Sequence, residues 1–97
     1  MNVVFLSPAD KELEEAINFY NDQLNGLGDK FYDDVVHALN LIIAFPDSWQ
    51  KVGGNSHKCI LKSFPYIILF VIEKERILIT AVAHQHRHPK SYLKNIK

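Results

Sequence analysis

The sequence predicts an α+β protein in which an N-terminal helical hairpin packs on a small antiparallel sheet, in the order β-α-α-β-β-β. Apolar residues recur at helical spacing through the first half of the chain. The period changes to that of β-strands after residue 57, and an unbroken apolar run follows at 66–72. At 97 residues, 47% of them hydrophobic and 23% charged, the chain suits a single packed domain spanning residues 1–97.

One strand and two helices account for the first half of the chain. Residues 2–6 form a short apolar run with two valines, which favours a strand. Ser7 suits the N-cap of the first helix, and Pro8 suits its first position. A second helix begins near Gly28 and stops at Pro46. Because only a few residues join the two helices, we expect an antiparallel hairpin.

Three strands are predicted in the second half. Residues 58–62 alternate in polarity, which is typical of a half-buried strand. The apolar run at 66–72 suits the middle of the sheet, covered on both faces. A polar four-residue loop at 73–76 joins it to a last strand at 77–84, and the three strands form an antiparallel meander. Residues 47–56 indicate an irregular connection, and periodicity does not place the first strand within the sheet.

The net charge of zero conceals a strong asymmetry. Residues 1–50 hold two lysines and nine acidic residues, a charge of −7, whereas residues 51–97 hold nine lysines and arginines and two acidic residues, a charge of +7. The basic half predicts contact with an anionic partner, either nucleic acid or an acidic protein. The alternative is that the two halves neutralise each other across the fold.

Several classes of protein and site are excluded. No apolar run reaches the roughly 18 residues of a membrane span, and the first residues lack the features of a secretory signal. We therefore expect no contact with a membrane and a cytoplasmic location. Cys59 is the only cysteine, which excludes an internal disulfide and a cysteine-based zinc site. Without a phosphate-binding loop, a dinucleotide loop or a serine-centred triad, no cofactor is predicted.

Histidines cluster near the end of the last predicted strand. His84, His86 and His88 alternate, so an extended chain would project three imidazoles to one side, where they could bind zinc or copper. Pro89 and the polar sequence around it predict that the strand ends near His84, which would scatter the rings. We therefore expect a basic, pH-sensitive surface here and no metal site.

Basic and aromatic residues of the second half could form a site for RNA. Lys58 and Lys62 share one side of their strand and could line a concave face with His84. Together with Arg87 and Tyr92, these groups could supply the acid, the base and the fixed positive charge of a metal-independent nuclease. Alternatively, the lysines only keep the strand soluble, and the tail is an ordinary solvated terminus.

Several local strings occur in a characteristic order. They are Ser7-Pro8-Ala9, Phe45-Pro46-x-x-Trp49, Phe64-Pro65-Tyr66 and, most specific, the string AVAHQHRHP at residues 81–89. With the order of the elements, they resemble the RelE/ParE superfamily of type II toxin–antitoxin toxins over residues 3–92. The last string is close to the Ala-His-x-x-Arg-x-Pro ending of that superfamily.

The resemblance implies a small bacterial toxin that acts in the cytoplasm, inhibits growth, stabilises plasmids and is silenced by a cognate antitoxin. The antitoxin would wrap the toxin with a segment that folds on binding. Within the superfamily, RelE-like members cut messenger RNA in the ribosome, whereas ParE-like members inhibit DNA gyrase. The Ser-Pro-Ala opening, the Phe-Pro-Tyr turn and the His-x-x-Arg-x-Pro ending resemble the ParE side.

Departures from the pattern of the RelE-like nucleases also favour a resemblance to the ParE side. RelE-like nucleases commonly carry arginine where this chain has Ile67 and a basic residue near Gln85, and the arginine of the second strand is replaced by His57-Lys58. The resemblance thus implies a ParE-like toxin that inhibits DNA gyrase by binding. The residues expected to contact the target are Lys58, Lys62, His86, His88 and Lys90.

Two alternatives remain at this point. In a ribosome-dependent messenger RNA endoribonuclease, Arg87 would stabilise the phosphate, His84 would transfer protons, and Tyr92 would stack or transfer protons. The other alternative is an inactive toxin homologue or a nucleic-acid-binding module of similar shape. We also expect the isolated chain to self-associate, as a homodimer for instance, because an apolar groove beside the helix pair would seek cover.

Overall fold

The computed structural model describes residues 2–86, which form two helices and five strands. The predicted α+β class is confirmed, and in the chain the helical hairpin lies between the first strand and the other four strands of the sheet. In chain order the elements are β1 (Asn2–Phe5), α1 (Ala9–Gln23), α2 (Leu27–Ala44), β2 (Gln50–Gly53), β3 (Ser56–Ile60), β4 (Tyr66–Glu73) and β5 (Arg76–His84).

The sheet has the strand order β1-β5-β4-β3-β2. Strands β3, β4 and β5 form the predicted antiparallel meander, and the apolar strand β4 lies in its centre as expected. Strand β1 pairs in parallel with β5, with Val3 opposite Ile77, so the sheet is mixed. The turn between β4 and β5 is tighter than the predicted loop, because only Lys74 and Glu75 separate the strands.

Strand β2 is an element that the sequence analysis missed. Residues 47–56 were expected to be irregular, but Gln50–Gly53 pairs antiparallel with β3, and Gln50 lies opposite Lys58. Gly53 and Gly54 have φ angles of 147° and 51°, which permit the tight turn between the two strands. The prediction of an irregular connection is therefore wrong for this strand.

The helical hairpin forms as predicted, although its first helix begins differently. The peptide bond between Ser7 and Pro8 is cis, Pro8 occupies the cap position, and no side chain caps the helix. The expected role of Ser7 as N-cap is therefore wrong. Helix α2 ends at Ala44, just before Pro46 as expected.

The principal core lies between the two helices and one face of the sheet, here called the helix side. Helix α2 contributes Phe31, Val35 and Ile42, all fully buried. The strands contribute fully buried side chains to the same cluster: Ile68, Phe70, Ile77 and Ile79. On the opposite face, here called the far side, a second buried cluster contains Ile67, Leu69, Ala81 and Ala83. Strand β4 is thus buried on both faces, as its continuous apolar sequence predicts.

Neither helix within residues 2–86 combines the length and the apolar character that crossing a membrane requires.

The thiol of Cys59 is buried in the principal core. Burial, reinforced by the nearby Asp34 carboxylate, raises its pKa to about 11. In the unfolded chain this thiol loses its proton near pH 9. The protonated thiol therefore stabilises the folded state in full below pH 9, and this stabilisation is lost as the pH rises to 11.

We expect the free energy of unfolding to fall by about 2–3 kcal/mol between pH 9 and 11 because of Cys59. Urea unfolding of the natural chain and of the Cys59→Ala variant at several pH values measures this term as the difference between the two curves. Lysine and tyrosine titrations cancel in that difference. Parallel curves for the two proteins would contradict the prediction.

Candidate functional site

His84 ends strand β5 and lies over an aromatic group. Its ring centroid is 5.2 Å from that of Tyr66, in an edge-on arrangement, and 5.2 Å from that of His86. The backbone N–H of His86 donates a hydrogen bond to Nδ1 of His84 at 3.1 Å. An accepting Nδ1 places the proton of the neutral ring on Nε2. The ring can therefore donate a hydrogen bond to a ligand from Nε2. Its accepting lone pair, on Nδ1, is already used by the His86 N–H.

The aromatic group under His84 is continuous with the core. Tyr66 lies near Tyr20 and Phe31, with the centroids of Phe31 and Tyr66 4.9 Å apart. Burial raises the pKa of the Tyr20 phenol above its usual value, and a hydrogen bond with Tyr66 offsets part of that rise. Tyr20 thus keeps its proton at neutral pH. The Tyr66 ring packs against His84, and the Tyr20 phenol offers no ionised nucleophile.

Lys58 and Lys62 do not share a face with His84. Lys58 pairs with Leu69 of the far-side cluster, whereas His84 pairs with Tyr66, which packs on the helix side. Strand β3 ends at Ile60, and the turn after it directs Lys62 toward α2. The predicted concave face that joins both lysines to His84 is therefore wrong, because Lys62 lies beyond the end of the strand, where the turn places it beside α2.

Lys62 lines a cleft of about 510 Å³ between α2 and the β3–β4 turn. Asp34, one of its lining residues, is 8% exposed and accepts a hydrogen bond from the backbone N–H of Ser63 at 2.9 Å. This bond ties the turn to the helix. The lining carries two lysines and two aspartates, so their formal charges balance; its residues are Lys30, Asp33, Asp34, His37, Lys62, Ser63 and Phe64.

Asp34 was not predicted from the sequence as a structural residue, although its position held a signal. It lies three residues after Phe31 and four before Ala38, both of which are buried on α2. A carboxylate on that stripe needs a donor, because burying an unpaired charge is costly. The Ser63 N–H supplies it.

A second opening, here called the edge groove, lies between α1 and the second half of β5. Its volume is about 260 Å³, and its lining residues are Glu12, Glu15, Ala16, Phe19, Tyr66 and Val82. The Glu12 carboxylate accepts a hydrogen bond from the backbone N–H of Val82 at 3.0 Å, and Phe19 is 53% exposed. A groove beside the helix pair was expected from the sequence, but the residues that line it were not, because helical periodicity does not reveal which strand edge the helix follows.

Of the other predicted site residues, only His86 lies within the described part of the chain. His86 is exposed after the end of β5. Arg87, His88, Lys90 and Tyr92 lie outside the described residues. Across the described part of the chain, no group of three or more histidine, cysteine, aspartate or glutamate side chains could hold a metal ion.

Comparisons with known proteins identify similar chains. The family model described as the ParE toxin of the type II toxin–antitoxin system parDE matches residues 3–89. A solved structure titled "Chromosomal ParDE TA system from P. aeruginosa" has a TM-score of 0.74 and 15% sequence identity, and the match covers 87% of this chain and 95% of that one. At this identity the likeness establishes a shared fold. No curated protein matches the sequence.

Proposed function

The chain belongs to the ParE toxin family of type II toxin–antitoxin systems, and on that premise we propose that it inhibits DNA gyrase by binding, without chemistry of its own. It acts in the cytoplasm and arrests growth until a cognate antitoxin neutralises it. The solved structure of similar fold, titled as a ParDE toxin–antitoxin system, supports such a partner.

The observation that carries the proposal is the dispersal of those candidate nuclease groups that the structure describes, Lys58, Lys62 and His84. Lys58 lies on the far side of the sheet, Lys62 lies in the cleft against α2, and His84 ends β5 on the helix side. A metal-independent nuclease needs its acid, base and positive charge around one phosphate. From three separate surfaces, Lys58, Lys62 and His84 do not face one phosphate together, whereas binding a protein requires no such convergence.

Two further details support binding over cleavage. The Nδ1 lone pair of His84 is occupied by the His86 N–H, so this ring is not free to act as a base through that nitrogen. Ile67, at the position where RelE-like nucleases carry arginine, is 3% exposed and belongs to the far-side cluster. An arginine there would have to displace packed apolar side chains.

Inhibition of purified gyrase tests the proposal. Relaxed plasmid, ATP and gyrase are incubated with the chain from equimolar amounts to a tenfold excess, and supercoiling is followed on a gel. The expected result is a loss of supercoiling that grows with the ratio of chain to gyrase. Translating ribosomes incubated with the same amounts should leave their messenger RNA uncut. Unchanged supercoiling at stoichiometric excess would count against the proposal.

A pair of lysine variants locates the binding surface. Lys62 and His84 lie near the beginning of β4, whereas Lys74 lies in the turn at its other end. We expect Lys62→Ala to raise the half-inhibitory concentration about fivefold, because a charge at a protein interface contributes to association. Lys74→Ala removes the same charge and should change it less than about twofold. Equal effects of the two substitutions would exclude Lys62 as a target contact.

A further inference from the structure

The hydrogen bond between His86 and His84 has an acceptor that can be removed by a change of pH. The backbone N–H of His86 donates to Nδ1 of His84 at 3.1 Å, and this bond is here called the His84 clasp. A ring nitrogen accepts a hydrogen bond only while it is unprotonated. Histidine is the side chain whose ordinary ionisation falls between pH 5 and 8. The clasp can therefore exist only in the neutral form of His84.

Strand pairing offers the His86 N–H no partner within residues 2–86. On the β4 side, the last bond after β5 runs from the Gln85 N–H to the Pro65 carbonyl at 2.8 Å. On the other side, β1 pairs only with Arg76–Ile79. Among the described residues, the His84 side chain is thus the group that accepts from this N–H, and it fixes the direction in which the chain leaves β5.

We propose that the His84 clasp is a pH-sensitive switch, which holds His86 against the end of β5 while His84 is neutral and releases it when His84 is protonated. In the imidazolium both ring nitrogens carry protons, so Nδ1–H would face the His86 N–H, donor against donor. The His86 imidazole adds to the effect, because its ring centroid is 5.2 Å from that of His84 and two charged rings at that distance repel each other. Acidification thus replaces an attraction with a repulsion.

The surroundings of His84 permit its protonation. Among the described residues, the titratable side chains that face it from the elements packed around it are Tyr66 of β4, Tyr20, Glu12 and Glu15 of α1, and His86. The two carboxylates line the edge groove beside Tyr66 and Val82, which are neighbours of His84 in the sheet. A nearby negative charge favours the charged form of an imidazole. His84 is also only partly buried, so water can reach the charged ring.

The switch is a property of the fold and does not require gyrase to be the target. His86 is one of the residues expected to contact the target, so its release would weaken target binding as the pH falls. That consequence, but not the switch itself, rests on the proposed function. The sequence predicts a pH-sensitive surface at these histidines, and the clasp is the bond on which that sensitivity would depend.

NMR of the full-length ¹⁵N-labelled chain between pH 8 and pH 5 tests the proposal. At pH 8 the imidazole nitrogen shifts of His84 should place the ring proton on Nε2. On acidification, the hydrogen-exchange protection of the His86 amide, corrected for the intrinsic effect of pH, should fall about fivefold with the midpoint of the His84 titration. The Gln85 amide is the internal control, because the Pro65 carbonyl that accepts from it does not titrate. Its protection should change less than about twofold.

Two substitutions separate the loss of the acceptor from other effects of acid. An asparagine side chain also accepts from the backbone N–H two residues along the chain, and it does not titrate. His84→Asn should therefore keep the protection of the His86 amide within about twofold between pH 8 and pH 5. His86→Ala retains the backbone N–H and removes the second imidazole, so the fall in protection at position 86 should persist in this variant.

Four results would overturn the proposal. They are a proton on Nδ1 of His84 at pH 8, an unprotected His86 amide at pH 8, equal losses of protection at Gln85 and His86, and an equal response of the His84→Asn variant. Disappearance of the response in His86→Ala would also overturn it, because repulsion between the two rings would then be the cause and not the loss of the acceptor.

Discussion

Replacing Gly28 with alanine is expected to destabilise the fold by about 2–4 kcal/mol. Helices α1 and α2 approach each other closely at this residue. A Cβ atom would lie 2.6 Å from Cγ of Asn21 and closer still to the backbone carbonyl oxygen of Ile17. A backbone oxygen cannot rotate away, so the helices would have to separate. Urea unfolding of the natural chain and the variant measures the loss.

A second substitution shows which atom causes the loss. The side-chain Oδ1 of Asn21 accepts a hydrogen bond from the Gly28 N–H at 2.7 Å, so Asn21→Ala alone should cost about 1 kcal/mol. The double variant with Gly28→Ala should be no more stable than Gly28→Ala alone, because the Ile17 carbonyl remains. Recovery of stability in the double variant would mean that the Asn21 side chain, and not the Ile17 carbonyl, limits how closely α1 and α2 can approach each other.

Phe31→Ala is expected to have the other large effect, a loss of about 3–5 kcal/mol. The Phe31 side chain is fully buried, and its ring contacts those of Tyr20, Phe64 and Tyr66. Truncation removes apolar burial and leaves a cavity that the surrounding rings fill only in part. Because Tyr66 lies under His84, the same change should loosen the end of β5.

The neighbouring residue provides the control for this prediction. Tyr32→Ala removes an aromatic ring from the same turn of α2, but the Tyr32 side chain is 48% exposed, so we expect a loss below about 1 kcal/mol. Unfolding in urea is followed by the fluorescence of Trp49, the only tryptophan. Similar losses of stability for Phe31→Ala and Tyr32→Ala would contradict the prediction that the buried Phe31 ring stabilises the core through its contacts with the neighbouring aromatic rings.

Elements with a strong local signal could be predicted from the sequence. Both helices carry apolar stripes of four turns or more, and Pro46 marks the end of the second. The unbroken apolar run of β4 predicts burial on both faces, and Ile68 and Leu69, which point to opposite faces, are indeed both fully buried. In each case one segment contains all the information that the prediction needs.

Strand pairing depends on distant residues and was harder to predict. Strand β2 is only four residues long and includes Lys51 and Gly53, so it lacks an alternating apolar pattern. Its signal was the turn Gly54-Asn55, which joins it to β3. The parallel pairing of β1 with β5 has no counterpart in periodicity, because α1 and α2 intervene before the sheet continues.

The candidate site could be predicted only in part. The alternation of Lys58 and Cys59 correctly indicates one side chain toward the core and one away from it. The same rule misplaced Lys62, because the strand ends before it and the turn points it toward α2. The role of Glu12 depends on where α1 crosses the sheet, which is a property of the assembled fold.

The most direct test of the account is to express the chain in a bacterial host that lacks the antitoxin. Plasmid linking number and transcript ends are measured in the same culture, for the natural chain and for a variant with both Arg87→Ala and Tyr92→Ala. If the chain acts by binding gyrase, growth stops, plasmid DNA relaxes and no new transcript ends arise with either protein. New transcript ends that disappear in the double variant, with plasmid supercoiling unchanged, would contradict the account and establish a nuclease.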